Sequence, residues 1–149
     1  MARDLTVAYD LLTAVLRARQ QLATARPLIW DKVRLPTAEH TIIVKASADG
    51  DRWMKSNPNG TDQIVVRVSL EIPLGDGRRL TSCLDIVASP HRWRAQPYIT
   101  LSDHVERLVW EGQASDHEDS TGFAESVDSA ARSLVEATLR LDFTDIDKQ

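Results

Sequence analysis

Residues 62–74 alternate without a break. Ile64, Val66, Val68, Leu70 and Ile72 fall on even positions, and Val65, Arg67, Ser69 and Glu71 fall between them. Successive side chains of a strand point to opposite faces, so this pattern demands a strand with one buried and one polar side. Gly75-Asp76-Gly77 follows as a turn. Leu80, Leu84 and Ile86 then take one side of a second strand, with Arg79, Thr81, Cys83 and Asp85 opposite. Ser89-Pro90 marks a further turn.

The stretch Ser89-Pro90-His91-Arg92-Trp93-Arg94-Ala95-Gln96-Pro97-Tyr98 sets two arginines around a tryptophan. Basic residues interleaved with aromatics can mark a nucleic-acid surface. Here His91, Trp93, Ala95, Pro97, Ile99 and Leu101 are all odd, and Arg92, Arg94, Gln96, Tyr98 and Thr100 are all even. The same period of two therefore explains the motif as a strand with Trp93 on its core side. Residues 104–113 read as another strand, with Leu108 and Trp110 on one face, and residues 40–47 as an earlier one.

Parity restricts the register, because a slip of one residue moves every side chain to the wrong face. A Gly75-Asp76-Gly77 loop pairs Ile72 with Leu80, Val68 with Leu84 and Val66 with Ile86. A Ser89-Pro90 loop is expected to pair Ile86 with Trp93, Leu84 with Ala95 and Leu80 with Ile99. A Ser102-Asp103 loop is expected to pair Ala95 with Trp110 and Pro97 with Leu108. The polar face then carries a ladder of alternating charge, Arg67, Asp85, Arg94 and Glu111, with Tyr98 and then Arg107 in a neighbouring row. Opposed charges of this kind contribute about 0.2–1 kcal/mol per pair.

Helical spacing brackets the strands. Leu5, Ala8, Leu12, Val15 and Leu22 predict a helix over residues 3–25, stopped by Pro27. The proline-bounded residues 27–36 are expected to hold an edge strand containing Trp30 or Val33. Phe123, Val127, Ala130, Leu134, Thr138 and Leu141 predict a second helix over residues 123–141, with a frayed tail from 142 onward. Residues 114–122 read as a polar loop. The fold class is α+β, a single domain over residues 1–149. It is an antiparallel β-meander of four or five strands, with N-terminal and C-terminal helices packed on one face and the polar face left open.

Charge and composition narrow the functional classes. The net charge of -4 disfavours a general nucleic-acid binder. Residues 1–110 carry 15 Lys and Arg against 12 Asp and Glu, whereas residues 111–149 carry 3 against 10. The acidic end is a solvated face or a surface that docks on a basic one. The N-terminus shows no secretory pattern, no segment reads as membrane-spanning, and Cys83 is the single cysteine, so a cytoplasmic protein without disulfides is expected.

No glycine-rich phosphate loop, G-x-S-x-G or H-E-x-x-H motif is present, and no cofactor is implied. Asp116-His117-Glu118-Asp119 reads as a solvated run rather than a cation site, and Asp49-Gly50-Asp51 lacks the later ligands of a calcium loop. Cys83, beside Ser69 and Gln96, has no histidine placed to activate it.

Two patches remain as candidate binding residues. One is the polar sheet face, with Arg67, Asp85, Arg92, Arg94, Tyr98, Arg107 and Glu111. The other is the 49–61 loop, with Arg52 and Trp53. Arg and Tyr are enriched at the centres of protein interfaces. The expected function is a non-enzymatic protein-binding module: an adaptor, a dedicated chaperone or an immunity-type inhibitor, engaging another protein or peptide. The edge near residues 40–47 or the open face could also support a homodimer. The alternative is a small-ligand binder or enzyme, using Arg94, Asp85, Glu111 and His104 in a pocket between sheet and helices. A third reading is nucleic-acid binding through Arg52, Lys55, Arg92 and Arg94.

Overall fold

The computed structural model describes residues 2–33, 41–48, 64–89 and 92–143, with side chains from residue 9 onward and as far as residue 47 in the second segment. The first element is helix α1, Ala2–Val33. Strands β1 (Ile43–Ala48), β2 (Ile64–Gly75), β3 (Arg78–Ser89), β4 (Arg92–Ser102) and β5 (Glu106–Glu111) follow in turn. A short β6, Ser115–His117, precedes the closing helix α2, Phe123–Arg140. The strands form one six-stranded antiparallel sheet in meander order, β1 to β5, with β6 pairing β4 beside β5. Both helices cover the same face. They pack on each other, α1 chiefly over β2 and β1 and α2 over β4 and β3.

The two central strands follow the alternation. Val66, Val68, Leu70, Ile72 and Leu74 of β2 and Leu80, Leu84, Ile86 and Ala88 of β3 are buried under the helices. The turn at Gly75, Asp76 and Gly77 has φ of +88°, +57° and +77°. Glycine enters that region without steric cost and Asp tolerates it, which is why this tripeptide punctuates the pattern. The resulting pairs are Ile72 with Leu80, Val68 with Leu84 and Val66 with Ile86, as the parity argument requires.

The next hairpin keeps the faces but not the neighbours. Ile86 pairs with Ala95, Leu84 with Pro97 and Leu80 with Leu101, two residues away from the expected register. β3 runs on through Ser89, which faces Arg92, so the Ser89-Pro90 loop does not form where the sequence places it. The longer strands gain the buried pair Ala88 and Trp93. A slip of two preserves every face, so hydrophobic parity cannot detect it.

The third pairing is corrected more deeply. Ile99 faces Trp110 and Thr100 faces Leu108, with a bulge between them, so Leu108 lies on the open side and not in the core. The bulge adds a residue to one strand and reverses parity beyond it. β5 pairs only the second half of β4, and β6 takes the first half, where the sequence suggested an unstructured polar loop.

α1 also differs from expectation. It passes through Pro27 to Val33, so no edge strand contains Trp30 or Val33. Proline removes one hydrogen bond and costs roughly 3 kcal/mol inside a helix. Ile29 and Val33, both buried, offset this, since each such side chain gains about 1.5–3 kcal/mol on burial. The buried stripe is Leu11, Ala14, Val15, Ala18, Leu22, Ala25, Ile29 and Val33, and Leu12 is instead 56% exposed.

α2 follows the sequence closely. All six residues of its expected stripe are buried. The one polar member, Thr138, is explained by its partners: its hydroxyl donates to the Leu134 carbonyl at 2.8 Å and meets Ser82 Oγ at 2.6 Å. Phe143 joins the core past the end of the helix, where a frayed tail was expected.

Candidate functional site

The open face of the sheet is built from the residues that alternate with the core. Its central row runs Lys45, Ser69, Cys83, Tyr98 and Glu111 across β1 to β5. The row beside it carries Arg67, Asp85 and Gln96. Arg67 and Asp85 are directly opposed, and the guanidinium meets the carboxylate at two points, Nε–Oδ1 at 2.8 Å and Nη2–Oδ2 at 3.4 Å. Tyr98 lies diagonally across from Asp85, within reach of a long side chain, and its hydroxyl donates to Asp85 Oδ2 at 3.1 Å. The Arg67 guanidinium stands 5.7 Å over the Tyr98 ring, a cation–π geometry. Lys45 reaches Glu71 across the same kind of diagonal at 3.2 Å.

This cluster is held in its neutral or fully paired forms. Hydrogen bonding to Asp85 raises the Arg67 pKa further above its already high range, so the guanidinium stays charged. Burial pushes the Cys83 thiol up to about 11 against the opposing effects of Tyr98 and Arg67. Burial likewise drives the Tyr98 phenol well above its usual value. At neutral pH the site therefore presents a thiol and a phenol rather than a thiolate and a phenolate. The Asp85 carboxylate already accepts from Arg67 and Tyr98. An activated nucleophile needs a lowered pKa or a free base beside it, and this cluster supplies neither.

The sequence-based ladder is half realised. Arg67 and Asp85 pair as expected. Arg94 does not oppose Asp85 or Glu111: it faces Val87, while Gln96 faces Asp85 and Tyr98 faces Glu111. The two-residue register difference moves it, and its ion pair forms with Asp116 of β6 at 3.5 Å, beside a hydrogen bond to Gln96 at 3.2 Å. Arg92 reaches the same Asp116 at 3.3 Å. Arg107 faces Leu101, away from the Tyr98 row, because the bulge intervenes.

His104 lies in the connection between β4 and β5, where its backbone N–H donates to the Asp103 carboxylate. His117 is not part of a solvated run but sits in β6. There its Nε2 is 2.8 Å from Ser126 Oγ and its ring meets Phe123 edge-on. Arg52, Trp53, Lys55 and the rest of the 49–61 segment lie outside the described residues.

Apolar side chains rim the open face at opposite edges. Ile43 of β1 is 44% exposed and Leu108 of β5 is 54% exposed. They stand at the two ends of one row, Ile43, Glu71, Thr81, Thr100 and Leu108. The sequence concealed Leu108 by placing it in the core, and the bulge is the reason. A second exposed apolar group, Tyr9, Leu12 and Leu16, lies along α1. Its helical spacing is legible in the sequence, but two apolar stripes on one helix leave open which of them is buried.

A cavity of about 540 Å³ lies at the sheet edge between residues 113–116 and α2. Arg94, Asp85, Glu111 and His104 do not line it. Among the described residues, no group of three or more His, Cys, Asp or Glu is placed to hold a metal ion, and no helix is long and apolar enough to cross a membrane. Comparison with protein-family models, with curated proteins and with solved structures returned no match.

Proposed function

We propose that the protein is a non-enzymatic binding module that docks a folded protein partner on its open sheet face. The observation that carries this reading is the arrangement on that face. Arg67 and Tyr98 both hydrogen-bond to Asp85 at its centre, and Ile43 and Leu108 stand exposed at its two edges. Preorganised Arg and Tyr side chains bind with little entropic cost, and apolar rims add area that a partner can dehydrate. Both helices pack on the other face, and on this one Ser69, Cys83 and Thr100 are buried among their neighbours while Arg67, Ile43 and Leu108 are exposed. Burial raises the pKa of both Cys83 and Tyr98, which weighs against their acting as a thiolate or phenolate there. A cytoplasmic role as adaptor, dedicated chaperone or inhibitor-type partner belongs to the same reading.

Nucleic-acid binding is disfavoured, because Arg92 and Arg94 already share Asp116. Phosphates would have to displace that carboxylate in a chain of net charge -4.

The test is affinity capture from native lysate with wild type, Ile43→Glu and Leu108→Glu. Both substitutions sit on exposed side chains, so the fold is retained. A stoichiometric protein captured by wild type and lost from both variants supports the reading. Capture that is indifferent to both substitutions removes it.

A further inference from the structure

The outer side of α1 carries an apolar stripe that stays exposed among the described residues. Tyr9, Leu12 and Leu16 are 71%, 56% and 52% exposed. Arg19 and Ala23 continue the stripe, and both are exposed. The five positions are three and four residues apart in alternation, the spacing with which one helix packs along another. At about 3.6 residues per turn, Leu12 and Arg19 lie across the helix from Arg17, which pairs with Asp128 of α2 at 3.3 Å. That part of the stripe therefore faces away from α2 as well as from the sheet.

The stripe is self-complementary, and this selects its occupant. In a two-fold contact residue i meets residue j while j meets i. Two antiparallel copies of α1 centred beside Ala14 set Leu12 against the partner's Leu16, twice. The same register sets Tyr9 against the partner's Arg19, also twice. Arg19 makes no hydrogen bond or ion pair among the described residues. A guanidinium over a tyrosine ring is attracted by the ring's quadrupole, so each free cation finds an aromatic face. A parallel pair would instead put Arg19 against Arg19, a like-charge contact that costs affinity. A wholly apolar helix from another protein would bury Arg19 with nothing to pair it. One polar residue in an otherwise apolar seam fixes register and orientation in just this way.

We propose that α1 is the seam of a symmetric homodimer, in which two copies pack antiparallel through Tyr9, Leu12, Leu16 and Arg19. The seam from residue 9 to residue 23 is about 22 Å long at 1.5 Å per residue. An interface of that size is at the small end of the specific range, so the dimer forms reversibly. The inference does not depend on the open face, which lies on the other side of the sheet from α1 and stays outside the contact.

Sedimentation velocity of the full chain from about 1 μM to about 1 mM should show a concentration-dependent equilibrium between monomer and dimer. Leu12→Glu and Leu16→Glu change exposed side chains and should each weaken the dimer by about tenfold or more, with an unchanged circular dichroism spectrum. Arg19→Glu should weaken it too, and it decides the matter should a leucine variant fail to fold. Adding Tyr9→Lys to Arg19→Glu should restore the dimer, because opposite charges then face each other at both ends of the seam. A monomer throughout the range overturns the proposal. So does a dimer of undiminished strength in the folded leucine variants, since its contact then lies elsewhere. Failure of the double variant to recover refutes the antiparallel register. A monomer that binds a different protein through Leu12 and Leu16 gives the stripe to that partner and likewise overturns the proposal.

Discussion

The buried hydroxyl pair between sheet and helix offers a quantitative test of the packing. Ser82 and Thr138 are both fully buried, with their oxygens 2.6 Å apart. Thr138 has one hydroxyl proton and gives it to the Leu134 carbonyl. Ser82 must therefore donate to Thr138 Oγ1. Thr138→Val keeps the shape of the side chain but leaves the Ser82 hydroxyl without an acceptor, at a cost of about 1–3 kcal/mol. Ser82→Ala removes the donor while Thr138 keeps its bond to Leu134, so the loss is one net hydrogen bond, about 0.5–1.5 kcal/mol. The double variant orphans nothing. Its destabilisation should fall short of the summed single effects by about 1 kcal/mol or more. Urea unfolding of the four proteins, with constant m-values, gives the cycle. Additivity within about 0.5 kcal/mol would refute the assigned donor and the direct contact.

Other consequences follow from the same structure. Ile29→Ala should destabilise by about 2–5 kcal/mol in chemical denaturation, because the helix carries this side chain into the core past Pro27. A cost under about 0.5 kcal/mol, the usual limit for surface sites, would mean that α1 ends earlier. Gly112→Ala should cost about 1–3 kcal/mol by overpacking, since its Cβ would lie 2.5 Å from the Trp110 ring and 2.9 Å from Pro97. An unchanged melting temperature would contradict the close approach at that bend. Cys83 in the folded protein, with its pKa pushed up to about 11, should alkylate with iodoacetamide far more slowly at pH 8 than in urea-unfolded chain. Because that value lies above the roughly 8.5 of an exposed thiol, the thiol's contribution to stability is full below about 8.5 and is lost as the pH rises through about 11. Unfolding midpoints measured across that range should fall accordingly.

Much of this fold is legible in the sequence for simple physical reasons. The alternation from Ile64 to Ile72 fixes β2, and the Gly-Asp-Gly turn fixes its register with β3. The stripe from Phe123 to Leu141 fixes the buried side of α2. The failures are equally physical. Parity constrains faces but is blind to a slip of two, so Arg94 was matched with Asp85 instead of Asp116. A bulge reverses parity without a sequence marker, which sent Leu108 to the wrong side. Pro27 reads as a helix stop because propensity is local, whereas the burial of Ile29 and Val33 is a tertiary effect. β6 is too short to show a period. At the candidate site, the alternation alone puts Arg67, Asp85 and Tyr98 on one face, but the bond between the last two depends on the true register.

The most direct test of the open face as a docking surface is side-chain footprinting of the protein alone and with its captured partner. Hydroxyl-radical labelling should fall at Tyr98 and Leu108 in the complex and stay unchanged at Leu12 and Leu16 on the opposite layer. Labelling of Tyr98 and Leu108 that is the same in the free and bound protein would contradict the account.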